Sequence, residues 1–139
     1  MQDISSKKKF YNTFRKMGYT NKIAMLNSIA QILYDKKGFN ILALDVQGLS
    51  TITDYLLIAE GNVDRHTMSM AREIIDKMRE SGEKLLHAEG MKSGEWIVLD
   101  FGAVTVHLFS PGLREKYSLE RLWPTSKLID LIIQTKDFT

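Results

Sequence analysis

The sequence contains no cysteine and no long apolar run among its 139 residues. The absence of cysteine excludes disulfide scaffolds, thiol catalysis and cysteine-ligated metal sites. No window approaches the roughly 20 consecutive apolar residues that a membrane-spanning helix needs, and no apolar stretch follows the N-terminal lysines as a secretory signal requires. The length and the 44% hydrophobic content fit one folded domain. We therefore expect a single globular domain that has no membrane partner.

Signatures of common catalytic sites are missing as well. The glycines form neither G-x-G-x-x-G nor G-x-x-x-x-G-K, and no serine lies in G-x-S-x-G. The three histidines, His66, His87 and His107, fall on different predicted elements and lack metal-ligand spacing. Asp45 and Asp54, near the ends of two predicted strands, could hold Mg²⁺, but turn and capping roles explain them adequately. We predict no catalytic residues, no cofactor and no metal site.

Acidic residues are scarce in the first part of the chain. Residues 1–40 hold eight bases and two acids, a net charge of +6. Residues 41–139 hold 11 bases and 15 acids, a net charge of −4. The overall charge of +2 is thus a cancellation between a basic arm and an acidic body. We expect residues 1–20 to form a basic N-terminal extension and residues 21–139 to form the domain.

Two interpretations of this basic extension stay open. Residues 5–19 interleave bases with aromatic side chains, a composition that suits RNA because cations meet phosphates and rings stack on bases. The candidate RNA contacts are Lys7, Lys8, Lys9, Arg15 and Lys16. The alternative is a solvated tail without a partner. We expect a cytoplasmic bacterial protein, and an organellar transit peptide ranks second because the extension is not conspicuously rich in serine or arginine.

Hydrophobic periodicity predicts two helices and three strands before residue 90. Asn21 can cap a helix that runs to about Lys37, and Asp64 can cap a second helix over residues 65–81. Strands are predicted at residues 41–46, 55–59 and 84–88. Helices that separate groups of strands indicate an α/β fold around one sheet.

Residues 95–110 carry the most informative pattern. If Gly102 and Ala103 form a two-residue turn, one face of the hairpin is fully apolar and consists of Ile97, Leu99, Phe101, Val104, Val106 and Leu108. The opposite face pairs Trp96 with Phe109, Val98 with His107 and Asp100 with Thr105. This mixed face could lie under a helix or stay open as a docking surface. His107 on it is the strongest histidine candidate for a functional role.

The C-terminal part is predicted to be helical. Ser118 can cap a short turn that extends through Trp123, Pro124 interrupts the chain, and residues 126–135 are predicted to form a terminal helix. That helix would be apolar on more than one face. It would therefore pack on the domain or on another chain, and homodimerisation of the free protein is one outcome.

Four segments follow one another between about Ile23 and Trp123: LYDKKGFNILALDVQGLSTITDYLLIAEG, a helix that opens with DRH, EGMKSGEWIVLDFGAVTVHLF, and REKYSLERLW. In sequence and in order they resemble the Iojap, or ribosomal silencing factor (RsfS), family. They contain D-V-x-x-x-S, D-Y-x-x-I-A, G-x-W-x-x-x-D-x-G and V-H-x-F at the family's spacing. Two positions depart from the pattern, because Gly61 replaces the usual serine and Ala103 the usual aspartate.

The resemblance implies a fold, a function and a set of contact residues. The fold is a single α/β domain similar to nucleotidyltransferases, with a mixed β-sheet of about five strands flanked by helices but without the catalytic carboxylates. Such proteins bind the large ribosomal subunit through its fourteenth protein, block joining of the small subunit and repress translation when nutrients are limiting; organellar relatives act in large-subunit assembly. The candidate partner-binding residues are Trp96, Asp100, His107, Phe109, Tyr117, Glu120 and Trp123. The alternative from a different class, a nucleotide-handling enzyme on the same scaffold, would need Asp45, Asp54 or Asp100.

Overall fold

The computed structural model describes residues 21–135, apart from the side chain of Glu120. The helices are α1 (Lys22–Asp35), α2 (Asp64–Glu80) and the short α3 (Leu113–Tyr117), which a 3₁₀ turn follows at Leu119–Leu122. The strands are β1 (Phe39–Asp45), β2 (Tyr55–Glu60), β3 (His87–Glu89), β4 (Trp96–Asp100), β5 (Val104–Phe109) and β6 (Lys127–Leu128). No helix within residues 21–135 is long and apolar enough to cross a membrane.

The six strands form one mixed sheet in the order β3-β4-β5-β2-β1-β6. Strands β2 and β5 are parallel, and the other neighbouring pairs are antiparallel. A parallel pair needs a long crossover, which α2, β3 and β4 supply between β2 and β5. The predicted α/β fold with a mixed sheet and flanking helices is confirmed, and a sixth strand is added by the C-terminal tail.

The main hydrophobic core lies between the sheet and the helices α1 and α2. Alternate strand residues point into it because successive side chains of a strand face opposite sides of the sheet. Its fully buried members include Leu57, Leu99, Val106 and Leu108 from the strands and Leu26, Ile29, Leu33, Ile74 and Met78 from the helices. These are the apolar stripes that the sequence periodicity predicts for both helices.

The hairpin formed by β4 and β5 has the predicted register. Trp96 lies opposite Phe109, and Asp100 lies opposite Thr105. The turn closes with a hydrogen bond of 2.9 Å from the amide of Phe101 to the carbonyl of Val104. Gly102 adopts a φ of +87°, which a residue without a β-carbon reaches without strain. The predicted apolar face of this hairpin is buried in the main core.

Several predicted boundaries are corrected. Helix α1 begins as predicted, with Oδ1 of Asn21 accepting hydrogen bonds from the first turn, but ends at Asp35, and Lys37 then adopts a φ of +67°. Asp64 is the first residue of α2 and not its cap, since Val63 holds that position without a side-chain hydrogen bond. Its carboxylate still suits the positive end of the helix dipole. Strand β3 is shorter and later than predicted, at His87–Glu89.

The predicted terminal helix over residues 126–135 is wrong. The chain instead forms the two-residue strand β6 beside β1 and continues without helical structure to residue 135. Ile129, Leu131 and Ile133 pack against the main core at every second position. A dense apolar run fits both helical and strand periods, and the unpaired edge of β1 selects the strand. The possible homodimer was inferred from the apolar surface of that helix. The tail instead packs Ile129, Leu131 and Ile133 on its own domain, and dimerisation stays a prediction.

Candidate protein-binding site

The two faces of the sheet are covered unequally. Helices α1 and α2 cover one face, whereas the opposite face is covered by the segment after β5. Leu113, Leu119 and Trp123 of that segment pack on Leu44, Leu56, Ile58 and Phe109. Val98 and His107, nearer the β3 edge, stay partly exposed on this face. The mixed face of the hairpin is therefore half open.

An aromatic cluster lies where the covered and open parts of this face meet. The ring centroid of Trp96 lies 4.5 Å from that of Tyr117 on α3 and 5.2 Å from that of Phe109 on β5. His107 stacks against Phe109 with centroids 6.5 Å apart. Tyr117 is 45% exposed, whereas Phe109 has no exposed surface. Phe109 thus forms the buried base of the cluster, and Trp96 and Tyr117 form its accessible edge, called the aromatic rim below. Partly exposed aromatic residues on a buried base are typical of the anchor residues of protein–protein interfaces.

His107 is held neutral within this cluster. The indole N–H of Trp96 donates to Nδ1 of His107 over 3.0 Å, so the ring proton must be on Nε2. Burial lowers the pKa of His107 from 6.5 to about 4. A neutral imidazole at physiological pH presents one fixed N–H donor, which suits directional recognition better than acid–base work near pH 7.

The short helix α3 is fixed on the sheet by an ion pair at its other end. Nη1 of Arg114 lies 3.2 Å from Oε2 of Glu60, and both side chains are only 15% exposed. Nδ2 of Asn40 donates to the same carboxylate oxygen over 2.7 Å, and Arg114 also donates to the carbonyl of Asn40. Because Glu60 pairs with Phe109 across β2 and β5, the ion pair and the aromatic cluster lie in one row across the sheet. This anchoring places Tyr117 over Trp96.

The structure brings most of the predicted contact residues together. Trp96, His107, Phe109 and Tyr117 form the aromatic cluster, and Trp123 packs on the same side of the sheet. Phe109 is corrected from a contact to a supporting residue, because its side chain is fully buried. Asp100 lies at the far end of β4, where its Oδ1 accepts a 2.8 Å hydrogen bond from the amide of Gly102.

The structure does not describe the side chains of the other predicted site residues. The backbone of Glu120 lies in the 3₁₀ turn after α3, but its side chain is not described. The candidate RNA contacts Lys7, Lys8, Lys9, Arg15 and Lys16 also lie outside the described residues. The assigned roles of all these residues stay predictions.

Sequence reasoning missed parts of this site. Helix α3 itself was not expected, and the Glu60–Arg114 pair joins positions 54 residues apart that share no local pattern. Leu122, which is 63% exposed, was not singled out either. Ser118 holds the N-cap position of the following turn as predicted, but its side chain makes no capping hydrogen bond; its hydroxyl donates back to the carbonyl of Glu115 over 2.6 Å. The only feature of the sequence that could have indicated an exposed Leu122 is its place between Arg121 and Trp123.

The carboxylates that a nucleotide-handling enzyme would need have structural roles. Asp45 accepts a 2.9 Å hydrogen bond from the amide of Gln47, and Asp54 forms a 2.6 Å ion pair with Lys22. Asp100 accepts from the hairpin turn, as described above. Among the side chains that the structure describes, no group of three or more histidine, aspartate or glutamate residues could hold a metal ion. Asp45 and Asp100 thus have turn roles, as the sequence predicts for Asp45, whereas the side chain of Asp54 forms an ion pair instead of the predicted turn or cap.

Gly61 and Ala103, the two departures from the family pattern, lie in different surroundings. A β-carbon at Gly61 would lie 2.9 Å from Cγ2 of Thr67 and 3.0 Å from Cε of Met70, so a larger residue there requires these side chains to move. The carbonyl of Ala103 accepts hydrogen bonds from the amides of Asp54 and Tyr55 at 3.1 and 2.9 Å. Because these bonds use the backbone, the replacement of aspartate by alanine removes none of them.

A mixed sheet with helices on one face and a half-open aromatic surface on the other defines an α/β domain with a candidate protein-binding surface. The family model "Ribosomal silencing factor during starvation" matches residues 19–138. A Bacillus subtilis protein named "Ribosomal silencing factor RsfS" is 40% identical over 111 residues, which cover 80% of this chain and 94% of that protein. The chain belongs to the ribosomal silencing factor (RsfS) family, whose members are ribosome-binding translation regulators and not enzymes.

Two further relatives extend the comparison. A crystal structure of a Chromobacterium violaceum protein superposes with a TM-score of 0.70 at 32% identity and covers 74% of this chain and 86% of that chain. A mouse protein named "Mitochondrial assembly of ribosomal large subunit protein 1" is 26% identical over 112 residues, which cover 78% of this chain and 49% of the mouse protein. The family and the fold expected from the sequence are confirmed, and family membership implies binding to the large ribosomal subunit.

Proposed function

We propose that this protein binds the large ribosomal subunit through its fourteenth protein and blocks joining of the small subunit, which represses translation under nutrient limitation. The observation that carries the proposal is the position of Tyr117. It is 45% exposed, and its ring lies tilted with its centroid 4.5 Å from that of Trp96 on the sheet face that α1 and α2 leave free. Family membership supplies the ribosomal context, and the aromatic rim supplies a surface that can dock on a protein.

The chemistry of the rim suits a stable interface. Aromatic side chains held by neighbours lose little conformational entropy on binding and bury much apolar area. Tyr117 is held by Trp96, and Trp96 is held by its hydrogen bond to His107. The exposed side chain of Leu122 adds apolar surface on the turn that follows α3. A partner that covers this rim would desolvate a preorganised cluster.

Charge supports a basic partner. Residues 41–139 carry a net charge of −4, which attracts a basic ribosomal protein and accelerates encounter. The basic extension provides a second contact, through Lys7, Lys8, Lys9, Arg15 and Lys16 to ribosomal RNA. Deleting residues 1–19 should flatten the salt dependence of binding if the extension contacts RNA, because fewer counterions are then released. An unchanged salt slope would mark the extension as dispensable.

Sedimentation with purified ribosomal subunits tests the proposal. We expect the protein to co-sediment with large subunits at low salt and, when added before small subunits, to reduce the fraction of joined ribosomes in a sucrose gradient. Large subunits that lack the fourteenth protein should not retain it. Failure to co-sediment, or co-sedimentation that leaves subunit joining unchanged, would overturn the proposed function.

A role in assembly of the large subunit is the second candidate. The name of the mouse relative describes that role in mitochondria, and the chain covers half of that protein. Depletion of the protein from growing cells distinguishes the two roles. An assembly factor would leave precursors of the large subunit to accumulate during growth, whereas a silencing factor would leave growing cells with normal subunits and fail to repress translation on starvation.

A further inference from the structure

The C-terminal tail occupies a groove between α1 and the edge of the sheet. Strand β6 pairs antiparallel with β1, and the amide of Ile129 donates to the carbonyl of Ala43 over 3.0 Å. Beyond it, Ile129, Leu131 and Ile133 pack against the main core, while Leu128 and Ile132 are exposed. The tail thus binds its own domain as an extended segment with alternate apolar residues inward.

Two side-chain amides of α1 recognise the backbone of this tail. Asn27 and Gln31, one helical turn apart, are 2% and 0% exposed. Oδ1 of Asn27 accepts from the amide of Ile132 over 2.7 Å. Gln31 contacts both backbone polar groups of Gln134. Its Oε1 accepts from the backbone N–H over 2.6 Å, and its Nε2 donates to the backbone C=O over 3.0 Å. The second proton of Nε2 goes to Asp35 over 2.9 Å, which fixes the orientation of the Gln31 amide.

These contacts have the features of peptide recognition. Hydrogen bonds to main-chain groups give affinity without regard to side-chain identity, and pockets for alternate side chains select residue type. A buried glutamine that hydrogen-bonds both the N–H and the C=O of one residue is complementary to an extended backbone. Without the tail, the inward sides of Asn27 and Gln31 would lose these partners, which is unfavourable for buried amides. The groove is therefore built for an extended occupant.

We propose that the groove lined by Asn27 and Gln31 is a peptide-binding site for extended segments with apolar residues at alternate positions, and that residues 127–135 are its intramolecular ligand. The occupant in the free protein is this chain's own tail. The tail is held by a two-residue strand, by the apolar side chains of Ile129, Leu131 and Ile133 on the core, and by the amide pair, whereas Leu128 and Ile132 stay exposed. A terminal segment with only two residues of sheet pairing opens at a lower free-energy cost than the whole domain, so the tail can exchange with the same sequence offered in trans.

The experiment uses the full chain and a fluorescein-labelled peptide with the sequence of residues 126–135. In the unmodified protein the tethered tail has an effective concentration near the millimolar range, so the peptide should bind poorly. The double substitution Leu131→Asp and Ile133→Asp should release the tail, because both side chains pack on the core. We expect this released variant to bind the peptide at least tenfold more tightly in fluorescence anisotropy. Adding Gln31→Leu to the released variant should weaken binding at least tenfold.

A modified peptide and a second measurement complete the test. A peptide that carries N-methyl groups at the amides of Ile132 and Gln134 should bind the released variant at least tenfold more weakly. Equal binding of both peptides, or of the variants with and without Gln31, would overturn the proposal. If the released variant does not fold, hydrogen exchange on the full chain decides the question. Gln31→Leu should then accelerate exchange of the Gln134 amide at least tenfold, and unchanged exchange would overturn the proposal.

Discussion

The indole N–H of Trp96 donates a hydrogen bond to Nδ1 of His107, and the two atoms lie 3.0 Å apart on neighbouring strands. This bond fixes the plane of the indole and the tautomer of the imidazole together. The half-open face of the sheet therefore carries a rigid aromatic rim instead of freely rotating side chains, which reduces the entropy lost when a partner covers it.

Tyr117 is expected to be an anchor for the partner. Tyr117→Ala should weaken binding to large subunits at least tenfold, about 1.4 kcal/mol, because it removes an exposed aromatic ring that packs against Trp96. Co-sedimentation over a range of protein concentrations measures this affinity. Ile52→Ala is the matched control, since Ile52 is exposed on a different loop and should leave affinity unchanged. Equal affinity of the Tyr117 variant, with its circular dichroism unchanged, would remove Tyr117 from the interface.

The hydrogen bond between Trp96 and His107 should contribute to stability. Trp96→Phe removes the N–H donor and leaves Nδ1 of His107 without it, so the free energy of unfolding should fall by about 1–3 kcal/mol. Urea unfolding of this variant, of His107→Leu and of the double variant gives the coupling between the two side chains. We expect a coupling of about 1 kcal/mol, and additive effects would mean that the hydrogen bond contributes nothing to stability.

The depressed pKa of His107 makes a sign-specific prediction about pH. Burial lowers the pKa to about 4 in the folded protein, below the ordinary value of 6.5. The unfolded chain therefore binds a proton at higher pH than the folded protein does. The contribution of His107 to stability is complete above pH 6.5 and is lost as the pH falls from 6.5 to about 4.

The variant His107→Gln tests this pH dependence. It keeps an acceptor for the Trp96 indole but does not titrate, so its stability should decline less steeply over the same pH range. Between pH 7 and pH 4 the free energy of unfolding of the unmodified protein should fall by about 3 kcal/mol more than that of the variant, at roughly 1.4 kcal/mol per unit of pKa shift. If the free energy of unfolding changed equally with pH in both proteins, His107 would be protonated equally easily in the folded and unfolded states.

The ion pair between Glu60 and Arg114 should be worth more than an exposed pair. Both side chains are 15% exposed, so Arg114→Met leaves a largely buried carboxylate and should lower the free energy of unfolding by about 2–3 kcal/mol. Adding Glu60→Gln should recover part of this loss. Lys22→Ala is the control, because it breaks an exposed ion pair with Asp54 and should lower the free energy of unfolding far less than Arg114→Met does. Equal losses in thermal or urea unfolding would contradict a role for burial.

Gly90 is expected to be indispensable for the position of Trp96. It has a φ of +80°, and a β-carbon there would lie 1.9 Å from the carbonyl oxygen of Trp96. Gly90→Ala should therefore destabilise the fold by more than about 2 kcal/mol and change the fluorescence of the indole. Gly48→Ala separates the effect of the left-handed backbone from that of the steric clash. Gly48 has a similar φ of +77°, but an added β-carbon would meet no atom within 4 Å, so this substitution should cost about 1 kcal/mol. Similar losses for both would show that backbone conformation alone matters.

The elements that local sequence patterns predict are those with one dominant period. The apolar stripe of α2 and the alternation of β4 and β5 each fit one structure, so their helix, strands and hairpin register were predicted within a few residues. Residues 126–135 are apolar at positions that fit either period, and local pattern could not choose between them. The unpaired edge of β1 and the amides of Asn27 and Gln31 made that choice.

The candidate site shows the same division. The sequence alone determined the family, the pairing of Trp96 with Phe109 and of Val98 with His107, and the mixed character of that face, because these depend on spacing along one hairpin. Only the tertiary structure decided that Phe109 is buried while Tyr117 is exposed, since that depends on where α3 docks. Its docking is fixed by Arg114 and Glu60, which are far apart in the chain and meet only after β2 has paired with β5. Contacts of that kind follow from the assembled sheet and leave no local pattern in the sequence.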